Sequence, residues 1–322
     1  MPRSDEALDL RRSRSLSMLT RTSLSTAPAP RGTALLVLAG LLWGTGGLAG
    51  SLLASRTGMQ PVAVAAFRLL LGGVFITLYA VVAGGFRTVP RTRAAAARLA
   101  ATGVLMATYQ TAYFAAVEAT SVSLATLTTM VAIPVLVTIG TAVLDRRPPT
   151  LRAVAAIVIA VGGLMLLLNS PTSEGGSGIA GAGLALLAAL GFAVITLDRR
   201  APLPGMDRNA ATGLGFLTGG LLLLPAGPLS GMGLPPHMDA VGAVLFLGLV
   251  PTAVAYTSYF TGLHHAGAAA GIVAVLLEPL TATLLAVLLA HDHLSGLQIL
   301  GAVFVLLSIG VQQAPSRTTR RM

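Results

Sequence analysis

The sequence contains no cysteine and no lysine, and it carries little charge of either sign. Without cysteine, disulfide bonds, thiolate catalysis and cysteine-ligated metal sites are excluded. Charged residues make up 10% of the 322 residues, whereas soluble domains carry roughly 25%. Because 54% of the residues are hydrophobic, the chain has too few polar side chains to cover a globule in water. The composition therefore predicts an integral membrane protein that is in contact with the lipid bilayer.

Apolar runs recur along the chain, and each is close to the roughly 20 residues that a helix needs to cross the bilayer core. The runs are continuous rather than alternating, which favours helices over the strands of a membrane barrel. The 37 glycines suit membrane helices, which pack closely through small residues. We predict an all-α fold with ten transmembrane helices. The predicted spans are 34–54, 61–83, 97–117, 121–144, 151–168, 179–197, 209–229, 240–261, 269–290 and 295–313.

The arginines are concentrated on one side of the predicted spans. With ten spans, 19 of the 21 basic residues fall on that side, whereas Arg56 falls on the other and Arg68 lies inside the second span. This asymmetry follows the positive-inside rule and predicts a multi-pass protein of the cell membrane with both termini in the cytoplasm. Residues 1–31 are expected to form a disordered basic tail, and residues 314–322 a second cytoplasmic tail. Nucleic-acid binding would also need base-reading or stacking chemistry, which the sequence lacks.

Two segments of the chain are similar to each other at a shift of about half its length. Residues 113–136 and 259–281 both begin with Tyr-Phe, continue into small residues, and contain a proline, Pro134 in the first and Pro279 in the second. The chain therefore divides into two halves of five spans each, 34–168 and 179–312. Because five is an odd number, the second half enters the membrane in the opposite orientation. We predict two inverted five-helix repeats, an arrangement typical of secondary transporters.

Short motifs occur along the chain in an order that one transporter family shares. They are Trp43-Gly44 in the first span, Pro61 and Arg68 in the second, Pro134 in the fourth, Asp145-Arg146 after it, and Leu277-Glu278-Pro279 in the ninth. Together with the ten spans and the duplication, they make the sequence resemble the EamA-type transporters of the drug/metabolite transporter superfamily. Asp292 stands where the family usually has a second glutamate. The resemblance implies a ten-helix bundle with a central cavity between the repeats, alternating access, and export of amino acids, other metabolites or drugs.

Glu278 is the leading candidate for a residue of the substrate pathway. It lies about 13 Å into the ninth span at 1.5 Å per residue, where an ionised side chain costs roughly 2.5–3.5 kcal/mol on insertion scales. Glu278 is expected to bind a substrate ammonium group or to take up a coupling proton. The alternative is a structural carboxylate that hydroxyl groups or Arg68 satisfy.

Arg68 is a second charged candidate, about 10 Å inside the second span. It could balance Glu278, attract a substrate carboxylate, or extend its long stem to the outer membrane interface. Structural pairing or extension to the interface is the interpretation that we favour.

Aromatic residues and one amide complete the predicted pathway. Tyr109 and Tyr256 lie one turn deeper than Tyr113 and Tyr259, which are close to span ends where aromatic belts form. Trp43 lies too deep for such a belt, and Gln110 adds an amide beside Tyr109. Packing within the bundle is the alternative role for each of these side chains.

The paired prolines are expected to break their helices close to the cavity. Proline within a helix frees the carbonyl four residues back and bends the helix. Paired interruptions in corresponding helices point to a midplane binding site. The alternative is that Pro134 and Pro279 only set helix curvature.

Other polar residues receive no site role from the sequence. The threonines of the fourth span, Thr126, Thr128 and Thr129, are expected to bond to their own backbone. The histidine pairs at 264–265 and 291–293 are predicted on opposite sides of the membrane, so no metal site and no cofactor is predicted.

We therefore expect a secondary transporter, in particular an exporter of small metabolites such as amino acids, with protons as the candidate coupling ion and a homodimer as an open alternative to a monomer. An exporter of drugs or toxic compounds and a non-transporting membrane scaffold are the alternatives. The sequence contains neither a converging catalytic set nor a Walker-type motif, so neither an enzyme nor an ATP-driven pump is predicted.

Overall fold

The computed structural model describes residues 30–86, 92–168, 177–198, 207–233, 238–266, 272–289 and 294–313. These residues form ten α-helices; the eighth contains a π-helical segment at Leu249–Val254, and a 3₁₀ helix at Leu224–Leu229 follows the seventh. The predicted tails lie outside the described residues, except for residues 30 and 31 at the start of the first helix. The helices are α1 (Pro30–Thr57), α2 (Pro61–Val82), α3 (Arg93–Ala119), α4 (Val122–Asp145), α5 (Leu151–Leu168), α6 (Ser177–Asp198), α7 (Arg208–Leu223), α8 (Met238–Ala266), α9 (Ile272–Leu289) and α10 (Gly296–Gln313).

Local sequence signals fix several helix ends. α2 begins at a proline, which suits the first helical position because that residue needs no donor. Side chains of Thr92, Ser121 and Asp207 accept hydrogen bonds from the first free N–H groups of α3, α4 and α7. α4 ends where Arg146 adopts a left-handed conformation with φ 50°.

Six of the helical segments are long and apolar enough to cross a membrane. Three further helices, α5, α9 and α10, contain shorter apolar stretches. Large apolar side chains are exposed on the outside of the bundle, among them Val143, Val158 and Leu284. In a water-soluble protein such a surface would be unstable, but here it matches the lipid tails. The chain is thus an all-helical, multi-pass membrane protein.

The interior is made largely of alanine and glycine, so the helices approach one another closely. α2 packs along α7, α5 along α10, α3 along α6 and α7, and α1 along both α8 and α9. A Cβ atom at Gly73 would lie 2.6 Å from the backbone nitrogen of Leu217, and one at Gly219 would lie 2.8 Å from the carbonyl oxygen of Gly103. Glycine is required at these crossings because helix backbones meet there.

The strongest departure from regular helix lies in α8. Proline has no N–H to donate, and Pro251 stands in the π-helical segment. Thr252 donates its hydroxyl to the carbonyl oxygen of Leu247 over 2.8 Å, across the widened turn. By contrast, α4 and α9 continue through Pro134 and Pro279. The widened turn directs the Thr252 side chain toward α2, and π-helical turns of this kind are frequent at functional sites.

Candidate functional site

Arg68 lies in the interior of the bundle, with an exposed fraction of 6%. Its Nε donates to Thr252 Oγ1 over 3.2 Å, and its Nη1 donates to Gln110 Oε1 over 3.2 Å. The guanidinium carbon lies 5.8 Å from the ring centre of Phe114, a cation–π arrangement. The expectation that Arg68 extends to the membrane interface is therefore wrong, because three inward-facing neighbours hold its head group.

The residues that surround Arg68 come from both halves of the chain. Arg68, Gln110 and Phe114 come from α2 and α3, and Thr252 comes from the π-helical segment of α8. The wall on the α1 side is Gly46, where a Cβ atom would lie 3.0 Å from Arg68 Nη2. Any larger residue there would have to displace the guanidinium, so the glycine makes room for the buried charge.

Glu278 belongs to the same central region but does not contact Arg68. Its side chain is half-buried on α9, and it interacts electrostatically with Arg68, Tyr109, Tyr113 and Tyr259. Both side chains belong to the described residues, and they form no ion pair within 4 Å. The expected structural pairing of Arg68 with Glu278 is therefore not a direct ion pair. The two charges interact at a separation of more than 4 Å.

An aromatic cluster lies between α1, α7 and α8. The Trp43 ring is 5.1 Å from the Tyr256 ring and 4.8 Å from the Tyr259 ring, and Tyr256 also meets Phe216 edge-on at 5.1 Å. Such spacings are those of stabilising aromatic pairs. Trp43 Nε1 is buried and has no hydrogen-bond partner in the part of the chain that the structure describes. The structure thus brings together the predicted Trp43 and Tyr256, with Tyr259 joining them.

A second aromatic group on α3 extends toward α4 and α6. Tyr109 lies 5.1 Å from Phe192 and 6.4 Å from Tyr113 between ring centres. Tyr113 has an exposed fraction of 6%, so its expected place in an aromatic belt at the membrane interface is wrong. Its hydroxyl lies 2.7 Å from Thr126 Oγ1. Thr126 was expected to bond to its own backbone, whereas its hydroxyl is hydrogen-bonded to a side chain of another helix.

Gln110 holds a buried donor that no described residue satisfies. The side chain has an exposed fraction of 0%, and its Oε1 accepts from Arg68. Its Nε2 has no hydrogen-bond partner among the described residues. Buried polar atoms without a partner are rare and costly, so each one needs an explanation.

Pro134 and Pro279 do not belong to the group of polar side chains around Arg68. Pro279 lines an apolar cavity of about 250 Å³ between α4, α9 and α10, together with Leu127, Thr283 and Leu306. Pro134 is half-buried on α4. The structure therefore does not gather these prolines with Arg68 and Gln110, although Pro279 follows Glu278 directly in the chain.

Metal-ligating side chains do not cluster in the described ranges. His264 and His265 lie side by side at the end of α8, with ring centres 5.3 Å apart. His291 and His293 lie outside the described residues, as does Asp292.

Three residues of the site were not predicted from the sequence, namely Thr252, Phe114 and Phe216. One signal could have indicated Thr252, because Pro251-Thr252 interrupts an otherwise apolar span with a residue that cannot donate and a residue that can. The two phenylalanines carry no such signal, since an apolar ring in an apolar span is ordinary.

Comparison with known proteins gives consistent matches. The model of the EamA-like transporter family matches twice, at residues 30–169 and 179–311. The uncharacterized transporter YwfM of Bacillus subtilis (strain 168) is 30% identical over 282 residues, which cover 87% of this chain and 93% of YwfM. Protein PecM of Dickeya dadantii (strain 3937) is 28% identical over 194 residues, which cover 58% of this chain and 64% of PecM. One solved crystal structure with 21% identity shares the fold with a TM-score of 0.61, over 87% of this chain and 96% of that one.

Proposed function

The chain belongs to the EamA-like transporter family and is a membrane transporter, and on this premise we propose that it is a secondary transporter that exports small metabolites such as amino acids. The observation that carries the proposal is the buried polar centre of Arg68, Gln110 and Thr252, with Glu278 across a gap. Charged residues inside membrane bundles are costly and mark substrate or ion pathways. A non-transporting scaffold has no use for a buried charge that is costly to place in the membrane.

We propose that the chain crosses the membrane ten times as two inverted repeats, with alternating access between them. The packing pattern supports this arrangement, because the most extensive helix–helix contacts are kept when each helix is exchanged for the one five places along. The α3–α6 contact corresponds to α8–α1, and α4–α6 corresponds to α9–α1, while α2–α7 and α5–α10 correspond to themselves. The two family matches, 30–169 and 179–311, divide the chain at the same place.

The topology can be tested directly because the chain has no cysteine of its own. Single cysteines at Gln60 and Gly296 are expected to react with a membrane-impermeant maleimide applied from outside. Cysteines at Arg93 and Arg147 are expected to react only after the membrane is permeabilised. All four positions are exposed in the structure. Labelling of Gly296→Cys from the cytoplasmic side alone would contradict nine spans before that residue and, with them, the inverted repeat.

The transport function can be tested by counterflow in proteoliposomes. Vesicles containing purified protein are loaded with an unlabelled amino acid, and entry of the labelled compound is followed over time. Transient accumulation above the level of protein-free vesicles is expected for at least one amino acid. Accumulation of a lipophilic cation such as tetraphenylphosphonium instead would favour drug efflux, which the aromatic cluster around Tyr256 would also suit. Exchange of none of these solutes would favour the scaffold.

A further inference from the structure

We infer that Arg68 and Gln110 form a carboxylate-binding subsite, so that the transported solute carries an acidic group. The inference rests on the proposed transport function and adds the chemical class of the substrate to it. It also gives Gln110 a role in specificity, and it assigns to Arg68 the substrate-carboxylate role that the sequence left open.

The Nε2 amide group of Gln110 has no acceptor among the described residues. Its carbonyl oxygen accepts from Arg68 Nη1 over 3.2 Å, whereas its amide nitrogen is fully buried and has no partner among the described residues. Turning the amide around would place its N–H groups against the N–H groups of the guanidinium, two donors facing each other. The observed orientation is therefore fixed by Arg68, and the free donor is a consequence of holding the arginine. An acceptor from outside the protein would satisfy it.

Arg68 also lacks a contacting counter-ion among the described residues. The two acceptors that it contacts, an amide oxygen and a hydroxyl oxygen, are uncharged. No carboxylate of the described residues lies within 4 Å of it. A buried cation without a contacting counter-ion is strongly disfavoured, and a substrate carboxylate would supply bidentate, charge-assisted hydrogen bonds.

The position of Glu278 extends the inference to the rest of the substrate. Its carboxylate attracts Arg68 electrostatically without contacting it. The inference therefore extends to a zwitterion, with its carboxylate on Arg68 and Gln110 and its ammonium group toward Glu278. A simple amine would lose the first set of contacts, and a simple acid would lose the second.

The test compares compounds that differ only in their charged groups. Leucine and phenylalanine are each compared with two analogues that have the same side chain. One analogue is the amine that lacks the carboxylate, and the other is the acid that lacks the ammonium group. Binding is followed by thermal stabilisation of the purified protein, and transport by counterflow. We expect the wild-type protein to prefer each amino acid to its amine by about tenfold or more, the ratio that one lost charge-assisted contact produces. Equal binding of amino acid and amine would overturn the inference.

Two variants and a control separate binding from folding. Gln110→Glu places a carboxylate of nearly the same shape beside Arg68, so it should raise the melting temperature and abolish the preference for the carboxylate. Arg68→Gln should abolish the same preference. Arg56→Gln makes the same chemical change at an exposed position at the end of α1 and should change nothing. A more stable Gln110→Glu protein that keeps the preference would reduce the pair to a structural role.

The outcomes also separate this inference from the transport function. Counterflow of a solute that has no carboxylate, with no binding of either amino acid, would leave the transporter in place and overturn the subsite. Binding with the expected preference but without any exchange would support the subsite and contradict transport.

Discussion

Replacing Glu278 with glutamine is expected to reduce transport by about tenfold or more, since roughly this factor follows from losing 1.4 kcal/mol of favourable interaction with the solute. The substitution keeps the volume and removes the negative charge. Glu278 is half-buried beside the crossing of α1 and α9, and it interacts across the gap with Arg68 and with the tyrosines around it. Without its charge, a substrate ammonium group or a coupling proton has no partner there. Flux should therefore fall even where insertion and membrane levels are normal.

The matched control for this variant is Glu118→Gln. Glu118 lies exposed near the end of α3, so the same chemical change occurs away from the centre, and flux should stay within about twofold, as for a typical surface substitution. If protons couple transport, the wild-type flux will respond to an imposed pH gradient and the Glu278→Gln flux will not. A Glu278→Gln protein with undiminished flux and an unchanged response to the gradient would remove Glu278 from the mechanism.

The positions of the helices were predictable because hydropathy is a local property. Apolar runs such as 240–261 located helices such as α8, although α8 extends past that run at both ends. Glu278 was also recognisable, because a carboxylate in the middle of an apolar span is costly wherever the span packs. These inferences need only the sequence of one segment and the properties of the bilayer.

The partners of the polar residues could not be predicted in the same way. Gln110 and Thr252 are 42 and 184 residues away from Arg68 in the chain. Thr252 reaches Arg68 only because the π-helical turn at Pro251 turns its side chain toward α2. Residue counting places Arg68 within the second span, but it cannot give the direction of the side chain, which depends on the rotation of the helix. The same holds for Tyr113, which lies near a helix end but faces inward to Thr126.

The polar centre depends on how closely the surrounding helices approach, and this dependence rests on glycines. α1 touches α9 at Gly44, where a Cβ atom would lie 2.8 Å from the carbonyl oxygen of Glu278 and 2.9 Å from the nitrogen of Ala282. Both atoms belong to the backbone, so no side-chain rotation can relieve the contact. A residue with a side chain at position 44 must push the two helices apart, and the site residues on both of them move with the backbone.

Gly44→Ala is accordingly expected to destabilise the folded protein by about 1–3 kcal/mol, the usual cost of overpacking, and to reduce transport together with stability. Thermal unfolding of the purified protein in detergent measures the first effect, and counterflow measures the second. Gly162→Ala is the matched control, because Gly162 is exposed on α5 and a Cβ atom there meets nothing within 4 Å. That substitution should leave stability unchanged or raise it, since alanine favours helix over glycine. If both variants unfold at the same temperature as the wild type, α1 and α9 are not in backbone contact at Gly44. That crossing would then not hold Glu278 on α9 at a fixed position relative to Trp43 on α1.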